Sequence, residues 1–391
     1  MQHDARQLSS TLSDLSPNMS TSGLRPDPLL VDTDIRTYPI RFVHLADVPA
    51  HLNDIGLQGP RVVVVTDENV ASHYRSPLVH AFEEAGWTPH VVVVPPGEPS
   101  KSLDRLSTLY DALLPLGLER STPVCTLGGG VVGDLGGFAA ATLLRGLPLV
   151  HLPTSLLAQV DSSIGGKTGV NHAVGKNLIG SFYQPHAVLV DPETLLTLPA
   201  REWVNGMAEA VKHGFIADPE LVGYAEQHLV DILGRHDLEA TVPAVRTAMQ
   251  IKAQVVAEDE REAGKRAWLN FGHTFAHAIE HVAGYGTVAH GEAVALGMRA
   301  ALYMSHRRAP AALDHERLDA LLAQLPTPNV SHLDFDALWR AMRHDKKTKD
   351  GAIRFVLLHA VGDPFIADDC SRASAQRAWD FVQQSTAQHA S

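Results

Sequence analysis

Glycine and lysine are concentrated in three short segments between residues 125 and 180, a pattern typical of sites that bind phosphate. The segments are Gly128-Gly129-Gly130, residues 163–169 with Lys167, and Gly175-Lys176-Asn177. Glycine lets the backbone approach an anion closely and adopt positive φ, and lysine adds a compact positive charge. A single segment of this kind is often an ordinary tight turn, but three in close succession predict binding of more than one anionic group.

Histidines are concentrated in the second half of the chain, as His273, His277, His281 and His290. The positions 273, 277 and 280 or 281 fall on one face of a helix, and imidazoles at i and i+4 can bind one zinc ion. Glu209 adds a carboxylate in a glycine-containing helical segment. Two histidines and one glutamate, with a further position left for substrate, are an ordinary set of ligands for catalytic zinc. The sequence therefore predicts a catalytic metal site.

The same helix permits a second interpretation, as a zinc peptidase. The segment from His277 to His281 matches the HxxEH pattern, in which two histidines bind zinc and the glutamate, here Glu280, activates water. Such a short pattern arises easily by chance in a histidine-rich helix, and a peptidase would leave the glycine and lysine segments without a function. A third interpretation is a metal-bound scaffold that binds a nucleotide without catalysing a reaction.

The elements that must position the glycine-rich segments have the pattern of an α/β domain. Val62 to Val65 and Val91 to Val94 are short β-branched runs, and residues 70–86 between them have helical spacing, which predicts a βαβ unit. Further buried strands are expected at residues 124–127, 149–152 and 188–190, with a helix near residues 101–116. The pattern predicts a Rossmann-like domain with a largely parallel sheet and covering helices. The glycines after residue 127 do not form a GxGxxG fingerprint.

The chain after residue 199 has mainly helical spacing, and we place a domain boundary there. The helical segments are residues 201–232, 240–260, 267–284, 290–307, 313–324, 334–343 and 373–388, with one strand at 353–358. Residues 1–35 are rich in Ser, Thr, Asp and Pro and are expected to form a disordered leader. The expected organisation is therefore a leader, an α/β domain at residues 36–198 and a mainly α-helical domain at residues 199–391.

Size and charge allow a two-domain enzyme and exclude several other classes of protein. The chain has 391 residues, 45% of them hydrophobic, and a formal net charge of −12. The negative charge argues against a nucleic-acid partner, which needs an excess of lysine and arginine. Cys125 and Cys370 are the only cysteines, so a disulfide framework is excluded and a reducing cytoplasm is expected. No run of about 18 apolar residues occurs, and no membrane partner is expected.

Taken in order along the chain, the motifs closely resemble those of 3-dehydroquinate synthase, a family of the sugar-phosphate cyclase superfamily. The strongest segments are residues 97–102, 128–134, 153–163, 165–171, 175–177 and 270–274. The resemblance runs from about residue 37 to residue 362. It implies a cytoplasmic enzyme of the shikimate pathway with an NAD-binding first domain and a second domain that binds metal and substrate.

The resemblance also implies a reaction, the conversion of 3-deoxy-D-arabino-heptulosonate 7-phosphate to 3-dehydroquinate and phosphate. Carbon 5 of the substrate is oxidised by NAD, which acidifies the neighbouring proton, and phosphate then leaves by β-elimination. NADH returns the hydride, and the ring opens and recloses by an intramolecular aldol step. The implied cofactors are therefore NAD and a divalent metal, with zinc foremost and cobalt as an alternative.

By position, the resemblance assigns roles to individual residues. NAD contacts fall on Asp67, Glu98, Lys101, Gly129, Gly130, Asp134, Thr154, Ser155, Lys167, Lys176, Thr194 and Thr197. Metal ligands fall on Glu209, His273 and His290. Substrate contacts fall on Arg145, Asp161, Lys167, Asn177, Asn205, Lys212, Lys252, Arg266, Asn270, His277, Lys346 and Lys347. Catalytic roles fall on Glu262, His277, Lys212, Asp161 and Lys252. Glu262 and His277 are the candidate general bases, although Glu262 also fits a solvated run of charge.

Related families with the same scaffold differ in detail. Cyclases that make valiolone or deoxyinosose skeletons share the NAD and zinc framework but differ near Lys167 and residues 175–177, where this chain has the dehydroquinate pattern. Such a cyclase is the main alternative. Glycerol dehydrogenases have a comparable two-domain plan but do not need so many anion-binding lysines. The resemblance further implies a small-molecule substrate and a homodimer.

Overall fold

The computed structural model describes residues 23–284, 286–344 and 353–388, and the chain divides into two compact units. Of the described residues, the first unit contains 23–202 and 252–261, and the second contains 203–251, 262–284, 286–344 and 353–388. The change of unit after residue 202 lies close to the boundary expected near residue 199. Residues 252–261 also belong to the first unit, which the sequence did not predict. Most of them form the end of a helix whose apolar spacing continues without a break.

The first unit contains a seven-stranded sheet with the order β1-β2-β9-β6-β5-β3-β4. Its strands are β1 (Leu29–Asp32), β2 (Thr37–Phe42), β3 (Arg61–Asp67), β4 (Thr88–Val94), β5 (Val124–Gly128), β6 (Leu149–Pro153) and β9 (Ala187–Val190). All neighbouring pairs are parallel except β1 with β2. A separate antiparallel hairpin joins β7 (Lys167–His172) to β8 (Gly175–Phe182). The largely parallel, Rossmann-like sheet predicted from the sequence is confirmed, whereas β1, β2 and the hairpin were not predicted.

Helices cover both faces of this sheet. They are α1 (Val48–Asp54), α2 (Glu68–Glu84), α3 (Leu103–Leu113) and α4 (Gly130–Thr142). Along β3, Val62 and Val64 pack into a hydrophobic cluster with α1 and α2, and Val63 and Val65 pack into a second cluster with α3 and α4. Because successive side chains of a strand point to opposite faces, a strand buried on both faces is apolar throughout. This explains the unbroken valine run that the sequence shows.

The prediction of a disordered leader through residue 35 is wrong for strand β1. Leu29 lies opposite Ile40 in an antiparallel pair with β2, and both Leu29 and Val31 are buried. Two buried apolar side chains and a ladder of backbone hydrogen bonds stabilise this short strand. The composition of residues 1–35 does not reveal this strand, because its four residues lie in a segment rich in Ser, Thr, Asp and Pro. Residues 1–22 of the predicted leader lie outside the described residues.

The second unit is mainly α-helical, as predicted. Its helices are α5 (Ala200–Ala217, which begins in the first unit), α6 (Pro219–Arg235), α7 (Leu238–Glu258, which ends in the first unit), α8 (His273–Ala283), α9 (His290–Arg308), α10 (His315–Ala323), α11 (Phe335–His344) and α12 (Arg372–Gln388). Strands β10 (Phe355–Ala360) and β11 (Asp363–Ala367) form a hairpin. No helix in the described ranges has both the length and the apolar character that crossing a bilayer requires.

The segment predicted as one helix over residues 201–232 is two helices. Asp218 separates α5 from α6, and its Oδ1 accepts hydrogen bonds from the N–H groups of Glu220 and Leu221. Pro219 occupies the first position of α6, where its missing N–H costs nothing. Apolar spacing continues across this break, so the periodicity alone did not reveal it.

Candidate active site

Glu209, His273 and His290 converge in the second unit. The Nε2 atoms of both histidines lie 3.5 Å from Oε1 of Glu209. Glu209 is fully buried in α5, His273 opens α8 and His290 opens α9. Two ligands of a tetrahedral zinc ion, each bonded at about 2.0–2.1 Å, stand about 3.3 Å apart. The observed separations are close to that value, so the three atoms fit a shared divalent cation.

The Nδ1 atom of each imidazole, on the side of the ring away from Glu209, lies close to an oxygen atom that can accept its proton. His273 Nδ1 lies 3.3 Å from the carbonyl oxygen of Phe271, and His290 Nδ1 lies 3.3 Å from Oε2 of Glu280. A histidine that binds a metal through Nε2 usually donates its Nδ1 proton to a carbonyl or carboxylate, which fixes the ring and its tautomer. Both rings therefore present Nε2 to Glu209 in the manner that metal binding requires.

Lys212 adds a positive charge to this buried group. Its ammonium contacts Oε2 of Glu209 one helical turn away on α5, and both side chains are fully buried. Burial alone would raise the pKa of Glu209, but Lys212 and His290 together lower it below its ordinary value. Burial likewise opposes the charge on His290, yet Glu209 and Glu280 raise its pKa to about 10. Glu209 is therefore an ionised carboxylate, the form that binds a cation, whereas His290 must release its proton before its Nε2 can bind one.

Further predicted site residues of the second unit are Asn270, Glu262, His277 and Arg266. Asn270 Nδ2 donates to Oε1 of Glu262 over 3.0 Å, and Glu262 has a positive φ of 60°. The ring of His277 lies 5.5 Å from the ring of His273 and 6.5 Å from that of His290, measured between centroids. Arg266 is buried. The structure thus brings His277 close to His273 and His290, and Asn270 close to Glu262. Lys346 and Lys347 lie outside the described residues.

The glycine-rich turn of the first unit leaves space beside a helix N-terminus. β5 ends at Gly128, and α4 begins at Gly130 with no side chain capping it. A Cβ atom at Gly129 would stand 3.2 Å from Ser155 Oγ, and one at Gly130 would stand 3.0 Å from Ser162 Oγ. The N–H groups of the first helical turn attract anions. Glycine keeps this turn open, an arrangement that fits the pyrophosphate of a dinucleotide.

Lys101 joins three other predicted site residues of the first unit. Its buried Nζ lies 2.6 Å from Asp134 Oδ2 and 3.8 Å from Glu98 Oε1, and it contacts Asn177 Oδ1. Burial raises the pKa of Asp134, although the Lys101 ammonium opposes that rise. We call Glu98, Lys101, Asp134 and Asn177 the Lys101 cluster. They come from three separate segments of the sequence, and their convergence supports a common role.

Lys252 and Asp161, both predicted site residues, form another ion pair of the first unit. Lys252 Nζ lies 2.6 Å from Asp161 Oδ1 and also contacts the backbone oxygen of Asp161. Asp161 belongs to a single π-helical turn, Ala158–Ser162, and such turns are frequent at functional sites. The pair joins the end of α7 to the rest of the first unit.

The remaining predicted residues of the first unit are spread over several segments. Tyr74 donates its hydroxyl proton to Thr194 O over 3.0 Å and lies 2.7 Å from Thr197 Oγ1. Asp67 ends β3 and accepts from the N–H of Val70 at the start of α2. No hydrogen bond within the described part of the chain joins Asp67, Thr194 or Thr197 to the Lys101 cluster. The other positions are exposed Lys167, half-buried Lys176, buried Thr154, half-buried Ser155, and Arg145 with a positive φ of 66°.

The peptidase interpretation is wrong. His281 is exposed, and Glu280 contacts His290 on another helix. Among the described residues, no group of three potential ligands with atoms within 4.8 Å of one another includes His277 or His281. The HxxEH match therefore arose from the high histidine content of α8.

Comparison with known proteins decides the family. Two family models match adjoining parts of the chain, 3-dehydroquinate synthase N-terminal over residues 91–205 and 3-dehydroquinate synthase C-terminal over residues 206–348. The chain belongs to the 3-dehydroquinate synthase family. The enzyme of Salinibacter ruber is 54% identical over 362 residues, which cover 92% of this chain and 99% of that protein. The enzyme of Geobacter metallireducens is 47% identical and covers 86% and 94%, respectively.

Solved structures of related cyclases have the same fold. ValA, a 2-epi-5-epi-valiolone synthase from Streptomyces hygroscopicus with NAD+ and Zn2+ bound, has a TM-score of 0.79 at 29% identity and covers 88% of this chain and 96% of its own. A 2-deoxy-scyllo-inosose synthase has the same TM-score of 0.79 at 24% identity, covers 92% and 99%, and supports the fold alone. The higher identity to 3-dehydroquinate synthases favours that reaction over the valiolone and deoxyinosose alternatives. This family member is an enzyme that forms 3-dehydroquinate and phosphate.

Three residues that shape these sites were missed as site residues from the sequence. Glu280 holds His290, Ser162 lies beside the glycine turn, and Asn171 contacts Glu98 over 2.7 Å. Ser162 and Asn171 belong to motifs that carried the resemblance to 3-dehydroquinate synthases, so a signal for them was present. The sequence pattern indicates Glu280 as a peptidase base or as part of the histidine face of its helix, because helical spacing does not reveal which side chain meets an imidazole of a different helix.

Proposed function

We propose that Glu209, His273 and His290 bind one divalent metal ion, with zinc foremost and cobalt as an alternative. The observation that carries the proposal is the convergence of Oε1 and two Nε2 atoms, with both rings held at Nδ1. When bound, such an ion acts as a Lewis acid on substrate hydroxyls and favours hydride removal. Glu280 orients His290, and Lys212 balances the second oxygen of Glu209.

The first unit is assigned to NAD. When bound, NAD takes a hydride from the substrate and returns it within one turnover. The N-terminus of α4, with Gly129 and Gly130, is suited to the pyrophosphate, and Ser155 lies beside the same turn. The further cofactor contacts are assigned to Asp67, Glu98, Lys101, Asp134, Thr154, Lys167, Lys176, Thr194 and Thr197. ValA, solved with NAD+ and Zn2+, supports this pairing of cofactors.

Substrate binding is assigned to cationic and amide side chains, because the substrate carries both a phosphate and a carboxylate. In the first unit these are Arg145, Asp161, Lys167, Asn177 and Lys252. In the second unit they are Asn205, Lys212, Arg266, Asn270 and His277, with Lys346 or Lys347. The Lys252 ammonium is held by Asp161, which leaves it oriented but partly neutralised.

Proton transfer is assigned to His277 and Glu262. His277 lies beside the ring of His273 and is half-buried. Glu262 is held by Asn270, and its positive φ is a strained conformation of the kind that functional sites often contain. The departing phosphate can itself remove the proton from the neighbouring carbon, which would leave His277 and Glu262 to move protons in the other steps.

We also propose that the enzyme acts in the cytoplasm as a homodimer. Cys125 and Cys370 are both free thiols, which suits a reducing compartment. Members of this family are commonly homodimers, and Arg145 is a candidate for contact with a second subunit. Size-exclusion chromatography with light scattering tests the assembly, and a monomer that retains full activity would contradict it.

A phosphate-release assay tests the reaction. Purified protein is mixed with NAD, zinc and 3-deoxy-D-arabino-heptulosonate 7-phosphate, and we expect equal amounts of phosphate and 3-dehydroquinate. Release with a different carbocycle, identified by mass spectrometry, would favour another cyclase. Absence of phosphate release would overturn the assignment of this reaction to the protein.

Variants test the assigned residues. His273→Ala and His290→Ala should lose metal and turnover, whereas His281→Ala, on the exposed side of the same helix as His273, should keep both. Full activity of the metal-free enzyme would contradict the metal assignment.

Lys167→Ala should weaken substrate binding more than NAD binding, and equal losses would assign Lys167 to the cofactor alone.

A further inference from the structure

A bulge in the β7–β8 hairpin removes Asn171 from the strand pairing. The register shifts between Val170 and His172, so Asn171 has no partner in the ladder with β8. Three residues of β8, 176–178, lie opposite the single residue Asn171, so the extra residues of the bulge are on β8 and the ladder is interrupted there. The backbone N–H of Asn171 donates instead to the carbonyl oxygen of Lys101 over 2.8 Å, and residue 171 forms a parallel bridge with Ser102. The bulge therefore attaches the hairpin to the segment that carries Glu98 and Lys101.

The side-chain amide of Asn171 makes two hydrogen bonds of opposite direction. Nδ2 donates to Glu98 Oε1 over 2.7 Å, and Oδ1 accepts from the backbone N–H of Asn177 over 2.8 Å. An ionised carboxylate can only accept and a backbone N–H can only donate, so the orientation of the amide is determined. A carboxylate at this position would lack the donor, and an aliphatic side chain would lack both groups.

Asn177 needs this support because of its backbone conformation. Its φ is 55°, in the left-handed region that residues other than glycine adopt at a cost in energy. The hydrogen bond from its N–H to Asn171 stabilises that conformation. The conformation in turn brings Asn177 Oδ1 to the Lys101 ammonium. The amide of Asn171 thus holds two members of the Lys101 cluster, Glu98 through Nδ2 and Asn177 through Oδ1.

We propose that Asn171 is a positioning residue that couples the cofactor-binding and substrate-binding segments of the first unit. The inference rests on the proposed function, in which Glu98 and Lys101 contact NAD and Asn177 contacts the substrate. Asn171 acts through these neighbours: one hydrogen bond orients the Glu98 carboxylate, and the other holds the turn that presents Asn177. Loss of the first should affect NAD, and loss of both should affect NAD and substrate together.

Two variants separate the two hydrogen bonds. Asn171→Asp keeps an acceptor for the Asn177 N–H but places a second carboxylate against Glu98. We expect NAD affinity to fall by about tenfold, with the substrate KM close to that of the wild type. Asn171→Ala removes both bonds and should weaken NAD binding, raise the substrate KM and lower kcat. NAD affinity is measured by fluorescence titration, and KM and kcat by phosphate release at saturating NAD.

A double variant distinguishes positioning from a general loss of structure. In Asn171→Asp/Glu98→Gln the new amide at residue 98 can donate to the new carboxylate at residue 171, which restores the hydrogen bond with reversed polarity. The double variant should bind NAD no more weakly than Glu98→Gln alone, so the two changes are not additive. Asn53→Ala, at an exposed asparagine of α1, is the matched control and should behave as the wild type.

The outcomes separate this inference from the proposed function. A wild-type enzyme that neither binds NAD nor releases phosphate would overturn the proposed function. A wild type that does both, with Asn171→Asp at wild-type NAD affinity, would overturn the role of Asn171. Additive losses in the double variant would also overturn it, because they indicate damage to the hairpin alone. Asn171→Asp and the double variant decide the question even where Asn171→Ala fails to fold.

Discussion

Gly291 lies against the backbone of Asn205, where a Cβ atom at position 291 would stand 2.6 Å from the Asn205 carbonyl oxygen. The N–H of Gly291 also donates to Asn205 Oδ1 over 2.9 Å. Gly291 follows the proposed ligand His290, and Asn205 lies one helical turn before the proposed ligand Glu209 on α5. This contact therefore sets the distance between two helices that carry proposed metal ligands.

Gly291→Ala should separate α9 from α5 and weaken metal binding. Inserting a methyl group into so close a backbone contact costs about 1–3 kcal/mol. We expect lower thermal stability and loss of bound zinc, measured by unfolding scans and by metal analysis after dialysis. Gly223→Ala is the matched control, because nothing lies within 4 Å of the added Cβ in α6. It should stabilise the protein by up to about 1 kcal/mol, since alanine favours helix. An unchanged zinc content in Gly291→Ala would contradict the role given to this contact.

Glu280→Gln should weaken zinc binding without removing a ligand. The carboxylate of Glu280 lies 3.3 Å from His290 Nδ1, and loss of such a partner typically lowers metal affinity by about 10–100-fold. Competition with a chromophoric chelator gives the zinc dissociation constant. Glu316→Gln, on the exposed surface of α10, should leave that constant unchanged. Equal zinc affinity in the wild type and Glu280→Gln would show that Glu280 does not orient the ligand.

Gly130→Ala should weaken NAD binding and leave zinc binding intact. The added Cβ would stand 3.0 Å from Ser162 Oγ, inside the space beside the N-terminus of α4. Crowding of about 1–3 kcal/mol corresponds to a loss of roughly 5- to 150-fold in affinity. NAD titration and zinc analysis on the same sample separate the two effects. Gly130→Ala/Ser162→Ala, which removes the opposing hydroxyl, should recover part of the affinity, and no recovery would argue against crowding as the cause.

His151 should make the first unit sensitive to acid. Burial lowers its pKa to about 4, and its Nδ1 lies 2.7 Å from Thr126 Oγ1. In the unfolded chain a histidine binds a proton near pH 6.5, so the stability that neutral His151 contributes is complete above about pH 6.5 and is lost as the pH falls towards 4.

His151→Gln should reduce this dependence on pH. The slope of the unfolding free energy between pH 6.5 and 4 should decrease by up to about 1.4 kcal/mol per pH unit. Urea unfolding at pH 7.5, 6 and 5 measures the slope. His80→Gln, at an exposed position of α2, should retain the wild-type slope. An identical slope in His151→Gln would show that His151 is protonated in the folded state.

Much of the architecture was readable in the linear pattern. Runs such as Val62 to Val65 predicted buried parallel strands, because a strand covered on both faces must be apolar at every position. Helical spacing of apolar residues predicted the helices of the second unit, because the apolar face of an amphipathic helix is the face that is buried. β1 was hidden by its polar surroundings, and the break at Asp218 by apolar spacing that continues through it.

Residue types along the chain were enough to indicate a carboxylate, imidazoles and glycine-rich anion sites, because these chemistries depend on side-chain identity and local spacing. Which atoms meet was settled by folding alone. Glu209 and His273 are distant in sequence, and their contact, the Glu280 partner of His290 and the Asn171 bridge between Glu98 and Asn177 all join separate elements. Periodicity reports which face of one element is buried. It carries no information about which residue of another element packs against that face.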